Sequence, residues 1–213
     1  MLRIRTSNRF RSVGLVALVA VGLITGLSAC SQPTPSTTPS STSAGGAAPV
    51  PQVSEVSPAG DIPDNQAFVA FIADSGAYTL TVPEGWARTS SGSSSTTFTD
   101  KLNSITAEQS KIATAPTVDT VKQSIVPTLE STRQKFQLTD IKTFTRPGGD
   151  GVVVTFLDDS AANAVTGTVV REEVELYVFW KNGQQMALTL AASQGSDNVD
   201  PWNIVTKSFT WLP

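Results

Sequence analysis

From Ala67 onward, strand-like stretches dominate, interrupted by one stretch of helical period in mid-chain and followed by a shorter one near the C-terminus. "AFVAFIA" (67–73) and "AYTLTVP" (77–83) are rich in aromatic and β-branched residues and predict two strands, with Asp74-Ser75-Gly76 as the turn between them. Pro83 and Gly85 end the second strand. "SGSSS" (91–95) reads as a loop. "TTFTD" and "NSITAEQ" (96–109) predict a hairpin turning near Lys101-Leu102. Over 117–136 the period lengthens. Val118, Val121, Ile125, Leu129 and Phe136 form one stripe, Thr117 is the expected N-cap, and Asp119 lies in the first turn, where the helix dipole favours an acid. Pro127 is expected to kink or break this helix.

Strands then return. "LTDIKTFTR" (138–146) runs to the turn "PGGDG", "VVVTFLDD" (152–159) has the continuous apolar pattern of a buried strand, and "SAANAVTG" (160–167) is a loop. Residues 168–193 hold a hairpin about Asn182-Gly183, a dipeptide suited to the positive φ angles of a tight turn. In its first arm Glu172, Val174, Leu176, Val178 and Trp180 share one face, which is expected to meet the core. Glu173, Glu175, Tyr177 and Phe179 share the other, expected to be only partly covered. Near the C-terminus, Asp200 before Pro201 reads as an N-cap followed by a proline at the first helical position, with Trp202, Val205 and Phe209 along one side of a short helix. The order predicts an α+β fold, an antiparallel sheet with helices packed on it, over residues 66–213.

The N-terminal part has a different pattern. "MLRIRTSNRFRS" carries Arg3, Arg5, Arg9 and Arg11 and no acid, and "VGLVALVAVGLITGL" is an apolar run of signal-peptide length. It meets Leu27-Ser28-Ala29-Cys30, which contains the chain's single cysteine. This resembles the bacterial lipobox. The resemblance implies that residues 1–29 are a signal peptide, that Leu27, Ser28 and Ala29 are read by the peptidase, and that Cys30 takes lipid, palmitate-type acyl chains included. Two or three such chains hold a protein stably on a membrane. No twin arginine is present, which favours the general secretory route. The alternatives are an uncleaved anchor, for which the apolar run is short against the roughly 20 residues of a membrane span, and plain secretion.

Residues 31–65 are Ser-, Thr- and Pro-rich, with no charge before Glu55 and no periodicity. Such a stretch packs no core and reads as a tether, with Cys30, of roughly 30–35 Å as a flexible coil.

Composition narrows the function. The net charge is −3, and without residues 1–29 it is −7, from 11 basic residues (15 less the four arginines) against 18 acidic ones. No basic stripe suggests nucleic acid as a partner. With no histidine anywhere, the commonest general base and metal ligand is missing and a Ser-His-Asp triad cannot form. Asp158-Asp159 and Asp197 with Asp200 are candidate calcium ligands, but Ca²⁺ takes six to eight oxygens and no calcium-loop spacing exists, so turns and caps account for them as well. Glu172, Glu173 and Glu175 could supply paired carboxylates for glycoside chemistry, though alternating glutamates on a wet strand face need no such role. "PGGDG" has turn composition, with no following helix or lysine to cradle phosphate. Trp86, Trp180, Trp202 and Trp211 are candidates for lining an apolar cleft or for core and rim packing. No metal and no cofactor is expected.

"YTLTVPEGW", the mid-chain helix, the hairpin "VELYVFWKNGQQMALTL" and the final helix together resemble the PsbP-like fold, which includes an extrinsic photosystem subunit and a nuclear import factor that binds the GTPase Ran. "FTDKLNSI", "VTG", "VFWKNGQQMALTL" and "DNVDPW" are similar to a group of actinobacterial lipoproteins of unknown function. The resemblance covers residues 68–213 plus the lipobox, and its motifs are structural. It implies an α/β/α sandwich and a place on the outer face of the bacterial cytoplasmic membrane; Ser31, not being Asp, is also compatible with onward sorting to an outer membrane. The expected function is a non-enzymatic module that binds an envelope protein or another envelope component. The alternative is a membrane-tethered carrier of a small apolar ligand or lipid.

Overall fold

The computed structural model describes residues 59–213. Twelve elements follow in chain order: β1 (Phe68–Ile72), β2 (Tyr78–Pro83), β3 (Ala87–Ser91), β4 (Ser95–Asp100), β5 (Asn103–Lys111), α1 (Val118–Thr132), β6 (Gln134–Arg146), β7 (Gly149–Asp159), β8 (Arg171–Lys181), β9 (Gln184–Ser193), α2 (Val199–Ser208) and β10 (Thr210–Trp211). They build two antiparallel sheets, one of three strands in the order β1-β2-β10 and one of seven in the order β3-β4-β5-β9-β8-β7-β6. This is the α+β class that the element order predicts. Among the described residues no helix is long and apolar enough to cross a membrane.

The large sheet buries both faces. Against one, α1 sets Val121 and Val126 on Val152, Val154, Phe156, Val174, Leu176 and Val178. Against the other, the small sheet and α2 close over Tyr177, Phe179, Met186, Leu188 and Leu190. The second face of β8 is therefore well covered where aromatics occupy it, and opens only at its glutamates, with Glu173 exposed and Glu175 half-buried.

Several expectations are corrected. α1 runs through Pro127 without ending. Proline removes one amide donor, but Pro127 and Gln123, whose carbonyl loses that partner, are both exposed, so water replaces the bond. The helix stops at Arg133, whose extended backbone caps it through an N–H bond to the Leu129 carbonyl. Phe136 therefore lies in β6, yet it still reaches the α1 side of the core and packs on Phe156 with ring centroids 5.1 Å apart. Residues 87–91 form β3, a strand that the pattern does not announce because every residue in it is exposed. Asn198, not Asp200, takes the N-cap position of α2, though its side chain makes no capping bond, and Pro201 falls inside the first turn, where amide donors lack helical partners in any case. Phe209 follows the helix and is buried. Packed structure also begins ahead of residue 66, because Ile62 is 4% exposed within the core.

The turns that orient the sheet follow local chemistry. Asn182 (φ 49°) and Gly183 (φ 80°) both take positive φ and close β8 onto β9 in register from Lys181↔Gln184 to Glu172↔Ser193. One end of the large sheet thus carries the Asn182-Gly183 turn, the β6–β7 turn and the start of α1. The other carries the β4–β5 turn, the β7–β8 loop and the Ser193–Asn198 segment. The described chain begins at this second end, where the Ala59 carbonyl accepts a hydrogen bond from Ser193 Oγ at 2.6 Å.

Candidate binding clefts

Two open clefts mark the two ends of the α1-covered face. The larger, about 670 Å³, lies at the Asn182-Gly183 end. The start of α1 (Thr117, Val118) with Ala115 and Pro116 forms one wall, and Thr143, Thr145, Asp150 and Trp180 belong to the other. Thr117 is fixed by a capping box, its hydroxyl accepting from the Thr120 amide while the Thr120 hydroxyl accepts from the Thr117 amide. Trp180 is half-buried, and its indole N–H donates to the Ile112 carbonyl at 3.0 Å. That bond holds the ring in one orientation, with its polar edge satisfied and its apolar body turned to the remaining contacts. Asp150 is the sole charged residue among those lining the cleft.

The smaller cleft, about 450 Å³, lies at the opposite end, between the Lys101-Leu102 turn and the β7–β8 loop. Thr99, Ser104, Thr166, Thr168 and Glu172 are among its lining residues. Much of the loop's polarity is consumed internally. Asn163 Oδ1 accepts from the amides of Val165 and Thr166, both at 2.9 Å, the Thr166 hydroxyl donates to Thr168, and Ser160 Oγ accepts from the Val170 amide. Val165 stands at the tip, 93% exposed.

Glu172 sits opposite Asp158 in the β7–β8 register. Burial pushes the Glu172 carboxyl up to about 7, and the negative charge of Asp158 adds to this against a smaller opposing pull from Arg133. Burial likewise raises Asp158 above the usual carboxylate range, although Arg133 Nη1 lies 3.2 Å from its Oδ2. Asp158 is 1% exposed and its Oδ1 has no partner. Glu172 therefore costs stability once it ionises: folding loses free energy as pH rises from about 4.5 through about 7, and none of that loss exists below pH 4.5. Glu172→Gln should remove about 1–2 kcal/mol of that slope, less than the full shift implies because part of the side chain stays in water. Urea midpoints of both proteins between pH 4.5 and pH 8 measure it; parallel curves would contradict it.

Of the other acidic candidates, Asp159 and Glu175 are held by neighbouring side chains. Asp159 is held below its ordinary range by hydrogen bonding from Lys135 at 2.7 Å, with Arg171 3.3 Å away. Asp197 and Asp200 are both exposed: the Asp197 backbone amide donates to Asp61 Oδ1 at 2.9 Å, and Asp200 lies in the first turn of α2. Glu175 accepts from the Tyr177 hydroxyl at 2.9 Å; burial first, and then this carboxylate, push that tyrosine up to about 12. Among the described residues no three His, Cys, Asp or Glu side chains gather where they could hold a metal ion. The tryptophans divide. Trp86 packs edge-on against Trp202 at 6.5 Å and Trp211 against Phe209 at 5.1 Å, Trp202 also borders two small concavities beside α2, and Trp180 faces the larger cleft. Leu27, Ser28, Ala29 and Cys30 lie outside the described residues.

Sequence reasoning does not find the larger cleft. Trp180 was legible as a cleft candidate, but Thr145 and Asp150 join it only through the pairing of β6, β7 and β8, which no local pattern encodes.

The fold is an α+β one, two antiparallel sheets with two helices. No protein-family model and no curated protein matches the chain. Among solved structures it is similar to cyanobacterial PsbP (CyanoP) of Synechocystis sp. PCC 6803, at 12% identity and TM-score 0.47 over 78% of this chain and 100% of that one. It is also similar to the Ran-binding protein Mog1p of Saccharomyces cerevisiae (11%, TM-score 0.44, 68% and 95%) and to LpqN of Mycobacterium tuberculosis, a protein involved in cell envelope biogenesis (18%, TM-score 0.40, 70% and 87%). A Bacteroides thetaiotaomicron VPI-5482 structure matches at 10% identity and TM-score 0.42 over 68% of this chain, which spans about half (48%) of its length. At these identities no site residue carries across from any of them.

Proposed function

We propose that this protein is a lipid-anchored, extracytoplasmic lipoprotein, acylated on Cys30 and held on the outer face of a bacterial cytoplasmic membrane, whose PsbP-like domain is a non-enzymatic binding module for an envelope component. The order of basic residues, apolar run, Leu27–Cys30 lipobox and Ser/Thr/Pro tract supports the anchor. The observation that carries the binding reading is the Trp180 cleft. It is an open concavity lined by two aromatics, Phe144 and the hydrogen-bonded Trp180, and by a few polar groups, the usual make-up of a recognition site. It also lies at the sheet end opposite Ala59, the first described residue.

Cys30→Ala should shift the full-length protein from the membrane fraction to the soluble one, read by fractionation and by loss of acyl mass. If the variant stays with the membrane, residues 13–29 are an anchor in their own right. Crosslinking on intact source cells, with capture of the tagged protein, tests binding. One reproducible envelope component above the Trp180→Ala control supports the module, and identical captures from both proteins count against the cleft.

A further inference from the structure

The larger cleft opens onto a row of side chains that crosses five strands. β6 pairs Thr145 with Asp150 of β7, β8 pairs Trp180 with Gln185 of β9, and β9 pairs Gln185 with Ser110 of β5. Asp150 and Trp180 both line the cleft, each one residue beyond the Gly151↔Phe179 pair that joins β7 to β8. Strand alternation sets all five side chains on the face that α1 covers, beyond the helix's own first turn. Thr145, Asp150 and Ser110 are exposed, and Trp180 and Gln185 are half-buried. At the usual spacing of about 4.8 Å between strands, the row extends roughly 19 Å.

We infer that this row binds a neutral oligosaccharide, lying across the strands with one sugar ring stacked on Trp180. This deepens the binding-module reading and rests on it. A sugar ring has an apolar face of C–H groups and an edge of hydroxyls that both donate and accept. The row supplies the complement: an indole whose polar edge is already spent on Ile112, flanked by a threonine and a carboxylate on one side and by an amide and a serine on the other. Gln185 Nε2 donates to Ser110 Oγ at 3.3 Å, so the two polar side chains at this end of the row are already joined to each other, and the Gln185 amide oxygen keeps its acceptor capacity. The charge also selects. Among the lining residues there is one carboxylate and no lysine or arginine, so a phosphorylated or uronic-acid chain would meet repulsion without compensation. The length of the row suits a chain of several sugars better than a single one.

The test is calorimetric titration of the full chain, in a detergent without a sugar headgroup, with cellohexaose, maltohexaose and a mannan hexamer. A galacturonate hexamer and a proline-rich peptide are the competing ligands. At least one neutral hexamer should bind. Trp180→Ala should weaken it at least about tenfold while the circular dichroism spectrum is unchanged, and Trp180→Tyr should restore most of the loss. Asp150→Ala, at an exposed turn-end position where folding is not at stake, should weaken it several-fold. The inference is overturned if no neutral hexamer titrates, if Trp180→Ala binds as the parent does, or if the peptide or the uronate saturates in place of the neutral chains. The crosslinking capture on intact cells is read independently of these titrations: an envelope component captured above the Trp180→Ala control while no neutral hexamer titrates leaves the binding-module reading standing and overturns the sugar reading alone.

Discussion

Asn198→Ala lowers the stability of the domain by about 3–5 kcal/mol, seen as an early midpoint in urea with little change of slope. Asn198 is 2% exposed and its amide is fully used. Oδ1 accepts from the Ile62 amide at 2.8 Å, and Nδ2 donates to the Gly60 carbonyl at 3.0 Å and to Asn103 Oδ1 at 3.1 Å. One side chain therefore ties together the first described segment, the start of β5 and the start of α2. Alanine strands three polar groups where water has little access, and each orphaned group costs about 1–3 kcal/mol. Asn198→Asp keeps the shape and should be as damaging, because a carboxylate cannot donate to the two oxygens and brings a charge into a buried site. Asn103→Ala removes one of the three bonds and should cost clearly less. If Asn198→Ala and Asn103→Ala lose the same amount, the junction is not organised around Asn198.

Gly151→Val should cost a similar amount for a different reason. Gly151 lies in β7, and a Cβ there would overlap the Val178 carbonyl oxygen and stand 2.7 Å from Phe144 Cζ. The Phe144 ring lies over the glycine and packs edge-on with Tyr177 and Phe179, at centroid distances of 5.0 and 4.8 Å. A branched side chain must expel that ring. The penalty combines overpacking, about 1–3 kcal/mol, with the loss of aromatic pairs worth about 0.5–1.5 kcal/mol each. The cleft should suffer too, since Phe144 and Gly151 both line it. Thermal unfolding of Gly151→Val gives the size. Phe144→Leu in the same background tells whether the ring is the obstacle, because a smaller side chain at 144 should recover part of the loss.

The strands of the β8–β9 hairpin, the helical stripe of α1 and the tight turn at Asn182-Gly183 are all legible in the chain, because each depends on periodicity or on the φ preference of two neighbouring residues. The errors at Phe136 and Asp200 share a cause. Phe136 continues the helical stripe by spacing, but its side chain, half-buried, reaches the same core from β6, so periodicity cannot say which element delivers it. Asp200 has the chemistry of a cap, yet the helix begins at Asn198, whose side chain is committed to Gly60, Ile62 and Asn103 across the fold. β3 is invisible to pattern reading because an edge strand with no buried face has no apolar rhythm.

By itself the sequence determined the α+β class, most element boundaries, the acidic balance of the chain after residue 29 and the absence of histidine chemistry. These are properties of composition and of short-range order, which side-chain volume and backbone preference set locally. Only the tertiary structure decided which residues share a site. Asp158 opposes Glu172, and Thr145, Asp150, Trp180, Gln185 and Ser110 fall into one row, through the registers of strands that lie far apart along the chain. Register is settled by how two cores fill on either side of the large sheet, a collective property of packing that no stretch of the chain carries alone.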